Sequence, residues 1–392
     1  MILSHKIRIY PNHEQEQFLK KSCGVARFAY NWGLEEWQNQ YKNGGKPDWM
    51  KLRKFFNSIK CEQFPFACEV STCCARGAFM NLGKAYKNFF NRRAKYPKFK
   101  KKGIRDSFRL DSNCFSVSRK HIKLSKMSPM RMAEQLRFDG KIMSGTVSRV
   151  ADKWYISIAV EVKKDLTLPK TGKFVGVDLG VKDLAITSDG CKFANPRWIQ
   201  KSEKKLKRLN RELARRKRAS KRRERTRLRL ARQHAKVANQ RKDWLHKITT
   251  YLVRKYDVIA LEDLNVRGMV KNHNLAKAIT NVSFGEFNRQ IEYKAQMYGK
   301  QIYRVDRFFP SSKKCSNCGC VQEKMPLPVR EWTCQDCGAH HDRDINAATN
   351  LLRQAMPEVT RGERSALVIS EISDVTKLDS LNRESYKSIC CE

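Results

Sequence analysis

No stretch of the 392-residue chain approaches the roughly 18 consecutive apolar residues that a membrane-spanning helix needs. The opening MILSHKIRIYPN has no apolar core of an export signal. A soluble, cytoplasmic protein is expected. Acidic residues are scarce, 39 against 81 Lys plus Arg, for a formal net charge of +42. A folded surface with that imbalance calls for a polyanionic partner, and nucleic acid is the natural one. The chain also lacks a P-loop, a dinucleotide-binding fingerprint and a Ser/His/Asp arrangement, and nothing in it reads as a coiled coil. Metal-assisted hydrolysis is the enzymatic chemistry that survives. Although there are 14 cysteines, they include the adjacent pairs Cys73-Cys74 and Cys390-Cys391, and one tight group has metal-ligand spacing. A reducing compartment fits this usage better than a disulfide scaffold does.

The length allows two or three cores. Ile2 to Tyr10 alternates as a strand, and Asn12 with Gln15 has the spacing of a capping box for the helix that follows. From His13 to about Lys101 the apolar spacing is helical. Phe108 to Val162 offers short alternating segments suited to a small antiparallel sheet or barrel that the first strand would join. A polar linker, Lys163 to Lys173, precedes the strands FVGVDLG and DLAITSDG, so a domain boundary is expected near residue 170. Residues 201–243 carry 20 Lys or Arg against four acids, with Leu206, Leu209 and Leu213 at helical spacing. This predicts a helical hairpin turning near Ala219-Ser220, with Lys204, Lys205, Arg215, Arg216, Arg222 and Arg223 available to phosphates. The segment beyond Met356 shows no clear periodicity, and 357–392 is expected to be a mobile tail.

Two constellations carry chemistry. Cys315-x-x-Cys318 and Cys334-x-x-Cys337 each end on a glycine, Gly319 and Gly338, which predicts two knuckles sharing one tetrahedral zinc. With all four positions filled by thiolates no water site is left, so the metal would be structural. The second constellation is acidic. GVDLG puts Asp178 on a strand, YDVIALEDL puts Glu262 at the end of another, and HHDRDINAATNLL puts Asp344 at the start of a helix. Three convergent carboxylates are what a pair of Mg²⁺ ions needs to activate water and stabilise a leaving 3′-oxyanion. Singly, each has a plainer explanation, since an acid in a first helical turn often only caps it. The residues alone do not separate Asp344 from Asp342 in this role.

The ordered motifs GVDLGVKDLAI, RKDWLHKIT, IALEDLNVRGM, FFPSSKKCSNCG, WTCQDCG and HDRDINAATN resemble the TnpB family, insertion-sequence-encoded RNA-guided nucleases related to type V CRISPR effectors. IRIYPN, RFAYNWGL and KAYKNFF extend the resemblance over about residues 1–355. It implies a multidomain α+β fold: a β-barrel-like wedge domain (1–10 and 102–170), a helical recognition domain (11–101), and an RNase H-like RuvC α/β domain (171–309 and 341–356) interrupted by a zinc ribbon (310–340). The family's catalytic Asp, Glu and Asp fall on Asp178, Glu262 and Asp344. A noncoding guide RNA and a double-stranded DNA target cut beside a short motif are the implied partners, with the protein favoured as a monomer. A nuclease-inactive DNA-binding repressor and an unguided junction nuclease are the competing readings. Within the recognition segment, Arg76 lies on a helical stretch with Lys84 and Lys87, and Trp49 sits in what reads as a Gly/Pro-rich loop. Arg76 there either donates two hydrogen bonds to a guanine edge or only contacts phosphate, and Trp49 either meets nucleic acid or packs locally.

Overall fold

The computed structural model describes residues 1–163, 165–326 and 328–366. The chain forms two compact units, one built from residues 1–164 and 216–235, the other from the rest of the described chain. Among the described residues no helix is long and apolar enough to cross a membrane.

The first unit opens with β1 (Ile2–Tyr10), whose alternation buries His5, Ile7 and Ile9. It is joined by β2 (Ser107–Asp111), β3 (Phe115–Ser118), β4 (His121–Leu124), β5 (Met130–Met132), β6 (Lys141–Val150) and β7 (Lys153–Glu161). The antiparallel order is β2-β6-β7-β1-β5-β4-β3, with β1 in the middle. The two edge strands, β2 and β3, are consecutive in the chain and linked by only Ser112–Cys114. So short a link brings the end of one edge strand near the start of the other, so the sheet is strongly curled, although β2 and β3 are not paired with each other. Between β1 and β2 come α1 (His13–Lys42), α2 (Trp49–Gln63) and α3 (Thr72–Phe90). The capping box at the start of α1 forms in both directions: Gln15 N donates to Asn12 Oδ1 at 2.8 Å and Asn12 N to Gln15 Oε1 at 2.9 Å. Helices α1 and α3 approach closely at Gly33, where a β-carbon would sit 2.7 Å from the Phe79 ring.

Trp49 departs from expectation. It is the first residue of α2, capped by Asp48, rather than part of a loop. Its ring lies against Gly83 of α3, where any β-carbon would come within 2.7 Å of the indole, and it packs on the buried core. Asp48 is a strong N-cap, and it draws the preceding Gly/Pro stretch to an end one residue before the aromatic. The cysteines also differ from the reading that left them unpaired, because Cys61 is bonded to Cys68 and Cys73 to Cys114.

The second unit holds β8 (Phe174–Asp178), β9 (Asp183–Thr187), β10 (Lys192–Ala194), α4 (Trp198–Arg215) and the C-terminal part of α5 (Lys221–Lys255). There follow β11 (Val258–Glu262), α6 (Val266–Met269), α7 (His273–Val282), α8 (Phe284–Tyr298), β12 (Gln301–Val305), the short pair β13 (Glu331–Thr333) and β14 (His340–Asp342), and α9 (Arg343–Ala366). The five-stranded order is β10-β9-β8-β11-β12, with β8, β11 and β12 parallel. Odd-numbered strand residues Val175, Val177, Ile259 and Leu261 join a core with Leu245, Ile248 and Leu252 of α5 and Phe287 and Ile291 of α8. Even-numbered residues of β8 and β11 face the other way, where Ala260, together with Val305 of β12, meets Leu351 and Ala355 of α9.

Three boundaries differ from those expected. The stretch after Lys163 belongs to the second unit: Leu168 N donates to Tyr298 O, Lys300 Nζ to Pro169 O, and Thr171 N and Gly172 N to Asp257 Oδ2. Asp257 is itself paired with the buried Lys300 at 2.6 Å, so the polar linker is anchored backbone. The hairpin turns where expected, with Ala219 in the left-handed region (φ 64°), but residues 216–235 group with the first unit and not with the strands around Asp178. The expected tail at 357–392 begins instead as helix, since α9 runs on to Ala366, and 367–392 lies outside the described residues.

Contact between α9 and β8 is made possible by Gly176. A β-carbon there would fall on the carbonyl oxygen of Ala348 and 2.8 Å from the Leu352 nitrogen, both backbone atoms that no rotamer change can move. Gly176→Ala should therefore destabilise the second unit by about 3 kcal/mol or more, as overpacking against rigid neighbours does. Denaturant unfolding followed by tryptophan fluorescence checks this, and an unchanged midpoint would show that α9 does not seat on that strand.

Candidate functional site

The same alternation places the acids. Asp178 and Glu262 are even-numbered, two residues beyond Gly176 and Ala260, and so lie on the sheet face that α9 covers. Val177 is paired with Leu261 in the parallel register, which brings Asp178 and Glu262 to the carboxyl ends of adjacent strands at one level. Ala348 lies over Gly176. Moving two residues along β8 covers about 6.6 Å and moving one turn back along α9 about 6 Å, which carries the chain to Asp178 and to Asp344. The charges do meet. Burial, then the neighbouring carboxylates of Asp344 and Glu262, push the Asp178 carboxyl up to about 7, while Arg343 opposes the shift. Burial, followed by Asp263, likewise raises Glu262.

The structure separates the two acids of DRD. Asp342 Oδ1 accepts from Asp344 N and Ile345 N at 3.0 Å, so it is the cap of α9, and its other oxygen pairs with Lys192 at 2.6 Å. Burial works against ionisation there, yet the Lys192 ammonium and the two helix amides hold Asp342 below the usual carboxylate range. Asp344, one position into the helix, accepts neither of those capping bonds and pairs with the Arg330 guanidinium at 3.3 Å. Lys192, Arg330 and Arg343 rim the acids. Sequence reasoning missed all three, and 150 positions separate Lys192 from its partner, so no local signal could have found it.

The four thiols converge. Cys315, Cys318, Cys334 and Cys337 form the one group among the described residues whose candidate ligand atoms all lie within 4.8 Å of one another. Each knuckle turns on a glycine in the left-handed region, Gly319 at φ 84° and Gly338 at φ 68°. Amides support the sulfurs: the backbone N–H of Ala339 and then Asn317 hold the Cys337 thiol down to about 6. An S4 set of this size and charge fits a tetrahedral soft cation, zinc above all. His341 also reaches it, with Nε2 3.0 Å from Cys315 Sγ. The module is tied to the acidic site through α9. Asn346 Nδ2 donates to Lys314 O at 2.8 Å and its Oδ1 accepts from Ser316 N, and Asn350 Nδ2 donates to Lys314 O and Ser311 O. Both asparagines are buried, four residues apart, on the helix that carries Asp344.

The expected phosphate contacts remain on the surface. Lys84, Lys87, Lys204, Lys205, Arg215 and Arg222 are exposed, while Arg216 and Arg223 are half-buried, with Arg223 Nη1 donating to Arg216 O at 3.0 Å. Arg76 is exposed on α3 and pairs with Asp111 at 3.0 Å.

Comparison with known proteins agrees with this architecture. Residues 157–273 match the family model described as "Probable transposase" (OrfB of IS605), residues 284–351 the "Cas12f1-like, TNB domain", and residues 1–46 a "Helix-turn-helix domain", though here that span holds only β1 and α1. Two relatives carry the name "Putative RNA-guided DNA endonuclease". One, from Streptomyces pristinaespiralis, is 35% identical over 91% of this chain and 90% of its own length. The other, InsQ of Escherichia coli K12, is 30% identical over 91% of this chain and 93% of its own. A solved Cas12f1 in complex with sgRNA and target DNA superposes with a TM-score of 0.54 at 13% identity, covering 90% of this chain and 98% of that one, a likeness of fold. The chain belongs to the TnpB family.

If the four thiols hold one zinc, purified protein should carry one zinc per chain by elemental analysis. Removing it should unfold the knuckles, since zinc binding in so small a module is folding free energy. Cys334→Ser should lose the metal and expose the segment around Ser311 to Ser316 to hydrogen exchange. Active protein without zinc would contradict the assignment.

Proposed function

We propose that this chain is an RNA-guided DNA endonuclease that cuts its target next to a short motif, with Asp178, Glu262 and Asp344 as the catalytic carboxylates. The observation that carries the reading is their confluence: two strand ends at one level and one helix start, close enough that Asp344 and Glu262 raise the proton affinity of Asp178. Like charges gathered in a chain of net charge +42 would attract cations. Two Mg²⁺ ions held there would supply the activated water and stabilise the leaving 3′-oxyanion of phosphodiester hydrolysis. The protein's own residues do the rest. Lys192 keeps Asp342 on its cap, Arg330 holds Asp344 at the mouth, and the packing of α9 on Gly176 fixes the spacing between helix and strands.

In this reading the five-stranded sheet with α9 is the RuvC-type domain, the four-cysteine module its structural zinc ribbon, the curled seven-stranded sheet the wedge, and α1 to α3 the recognition domain. Cationic residues of α4 and α5 would hold a guide RNA–target DNA heteroduplex through its backbone while base pairing reads the sequence. A cytoplasmic monomer suffices for the chemistry. The occupied acidic positions favour a nuclease over an inactive DNA-binding relative, and the basic hairpin favours a guided enzyme over an unguided junction nuclease.

Asp178→Ala should abolish cleavage of a guide-matched DNA duplex while leaving RNA and DNA binding within about twofold, because the charged surface is untouched. Chelation of divalent cations should do the same. Cutting by the Asp178→Ala protein at the wild-type rate would refute the assignment, and cutting by protein stripped of RNA would favour the unguided reading.

For the adjacent motif the Asp111 carboxylate orients the Arg76 guanidinium without burying it, which suits a side chain that reads a base edge. Arg76→Ala should relax the preference at one motif position by about 1 to 3 kcal/mol in a randomised-motif cleavage assay. Uniformly weaker cutting with an unchanged motif would make Arg76 a phosphate contact.

A further inference from the structure

The strand β12 lies beside β11 with Val305 paired to Glu262, and the loop leaving it therefore starts at the same sheet end as the catalytic carboxylates. That loop is stiff. Asp306 Oδ1 accepts from Phe308 N at 2.7 Å and Asp306 O from Phe309 N at 3.1 Å, Arg307 forms an ion pair with Asp263, and Pro310 O accepts from Lys313 N and Lys314 N at 3.0 Å. Its two aromatics are used differently. Phe309 turns inward against Val305, Leu351 and Ala355, with the Lys314 ammonium 5.5 Å from its ring centre. Phe308 is 86% exposed, more than any other large apolar side chain among the described residues. A ring presented to water on a backbone fixed on both sides has surface to offer and little conformational freedom to lose.

Three residues of chain reach at most about 10 Å from Val305, which itself lies one strand spacing, about 5 Å, from Glu262, so the ring stands within about three nucleotides of the acidic site. Cations line the same loop in Arg307, Lys313 and Lys314. We propose that Phe308 stacks on an unpaired base of the DNA strand being cut and so positions the scissile phosphate over Asp178, Glu262 and Asp344. Base pairs hide their faces in the duplex, so this contact selects single-stranded DNA, and it does so without sequence preference because every base has a π-face. Phe308 is a positioning residue: it holds the strand and touches no reacting atom.

The inference rests on the nuclease reading of this site, and the test keeps the two apart. In the full chain with its guide RNA, the Asp178→Ala background binds without cutting, so a DNA strand carrying 2-aminopurine at successive positions around the cut reports stacking by fluorescence quenching. One position should be quenched with Phe308, released in Phe308→Ala and quenched again in Phe308→Trp. With Asp178 intact, Phe308→Ala should slow cleavage roughly 5- to 100-fold, the range expected for one lost base–aromatic stack. An abasic site at that position should slow the unsubstituted protein equally and add nothing to Phe308→Ala. Thermal midpoints should not move, because the exposed ring supports no packing.

Quenching at no position, Phe308→Ala cutting at the full rate, or multiplied effects of the abasic site and the alanine would each overturn the proposal while leaving an Asp178-dependent nuclease intact. Position-specific quenching in a protein that never cuts would uphold the stack and sink the nuclease reading instead.

Discussion

Helix α9 lying directly on β8 is the contact that brings Asp344 to Asp178 in the second unit. With no side chain at position 176, the backbone of α9 at Ala348 comes within van der Waals reach of the strand, and Ala347 and Ala348 keep the helix surface as flat as the strand beneath it. Closeness of this kind sets a lever. One turn of helix from Ala348 and two strand residues from Gly176 bring Asp344 and Asp178 to one level, and the parallel pairing of β8 with β11 adds Glu262. A shift of α9 by one residue would rotate Asp344 about a quarter turn away. The glycine therefore has an electrostatic consequence as well as a steric one.

The acids gain from being set in a cationic molecule without being neutralised by it. Lys192 is fully engaged by the capping residue Asp342, and Arg330 approaches Asp344 at 3.3 Å, longer than a tight ion pair. Asp178 faces Arg343 but is governed by burial and by its two acidic neighbours. Charge concentrated in this way is costly to keep unless cations share it.

The four-cysteine module extends the dependence. Its second knuckle leads through β14 straight into α9, and its first is clasped by Asn346 and Asn350 from the same helix. Buried amides of this kind satisfy backbone groups that would otherwise be stranded, and they fix direction as well as distance. The four thiols at the knuckles and the acids at the sheet end thus share one connector, α9.

How much of this was legible in the sequence depended on how local the signal was. The Asn12-Gln15 capping box, the knuckle glycines, the turn at Ala219 and the strands bearing Asp178 and Glu262 are encoded within a few residues, and the chain forms them because short-range geometry leaves little choice. The ordered motifs carried the family. What tertiary structure alone decided is long-range. That Asp342, besides capping α9, pairs with Lys192 depends on a residue 150 positions earlier. That Trp49 packs on Gly83 follows from where α3 comes to lie, and no window around residue 49 contains it. The anchoring of the linker by Asp257 and Lys300, and the grouping of residues 216–235 with the first unit, were equally invisible. Composition and spacing specify elements and chemistry; which of two similar acids is spent on structure is settled only by the partner that the fold delivers to it.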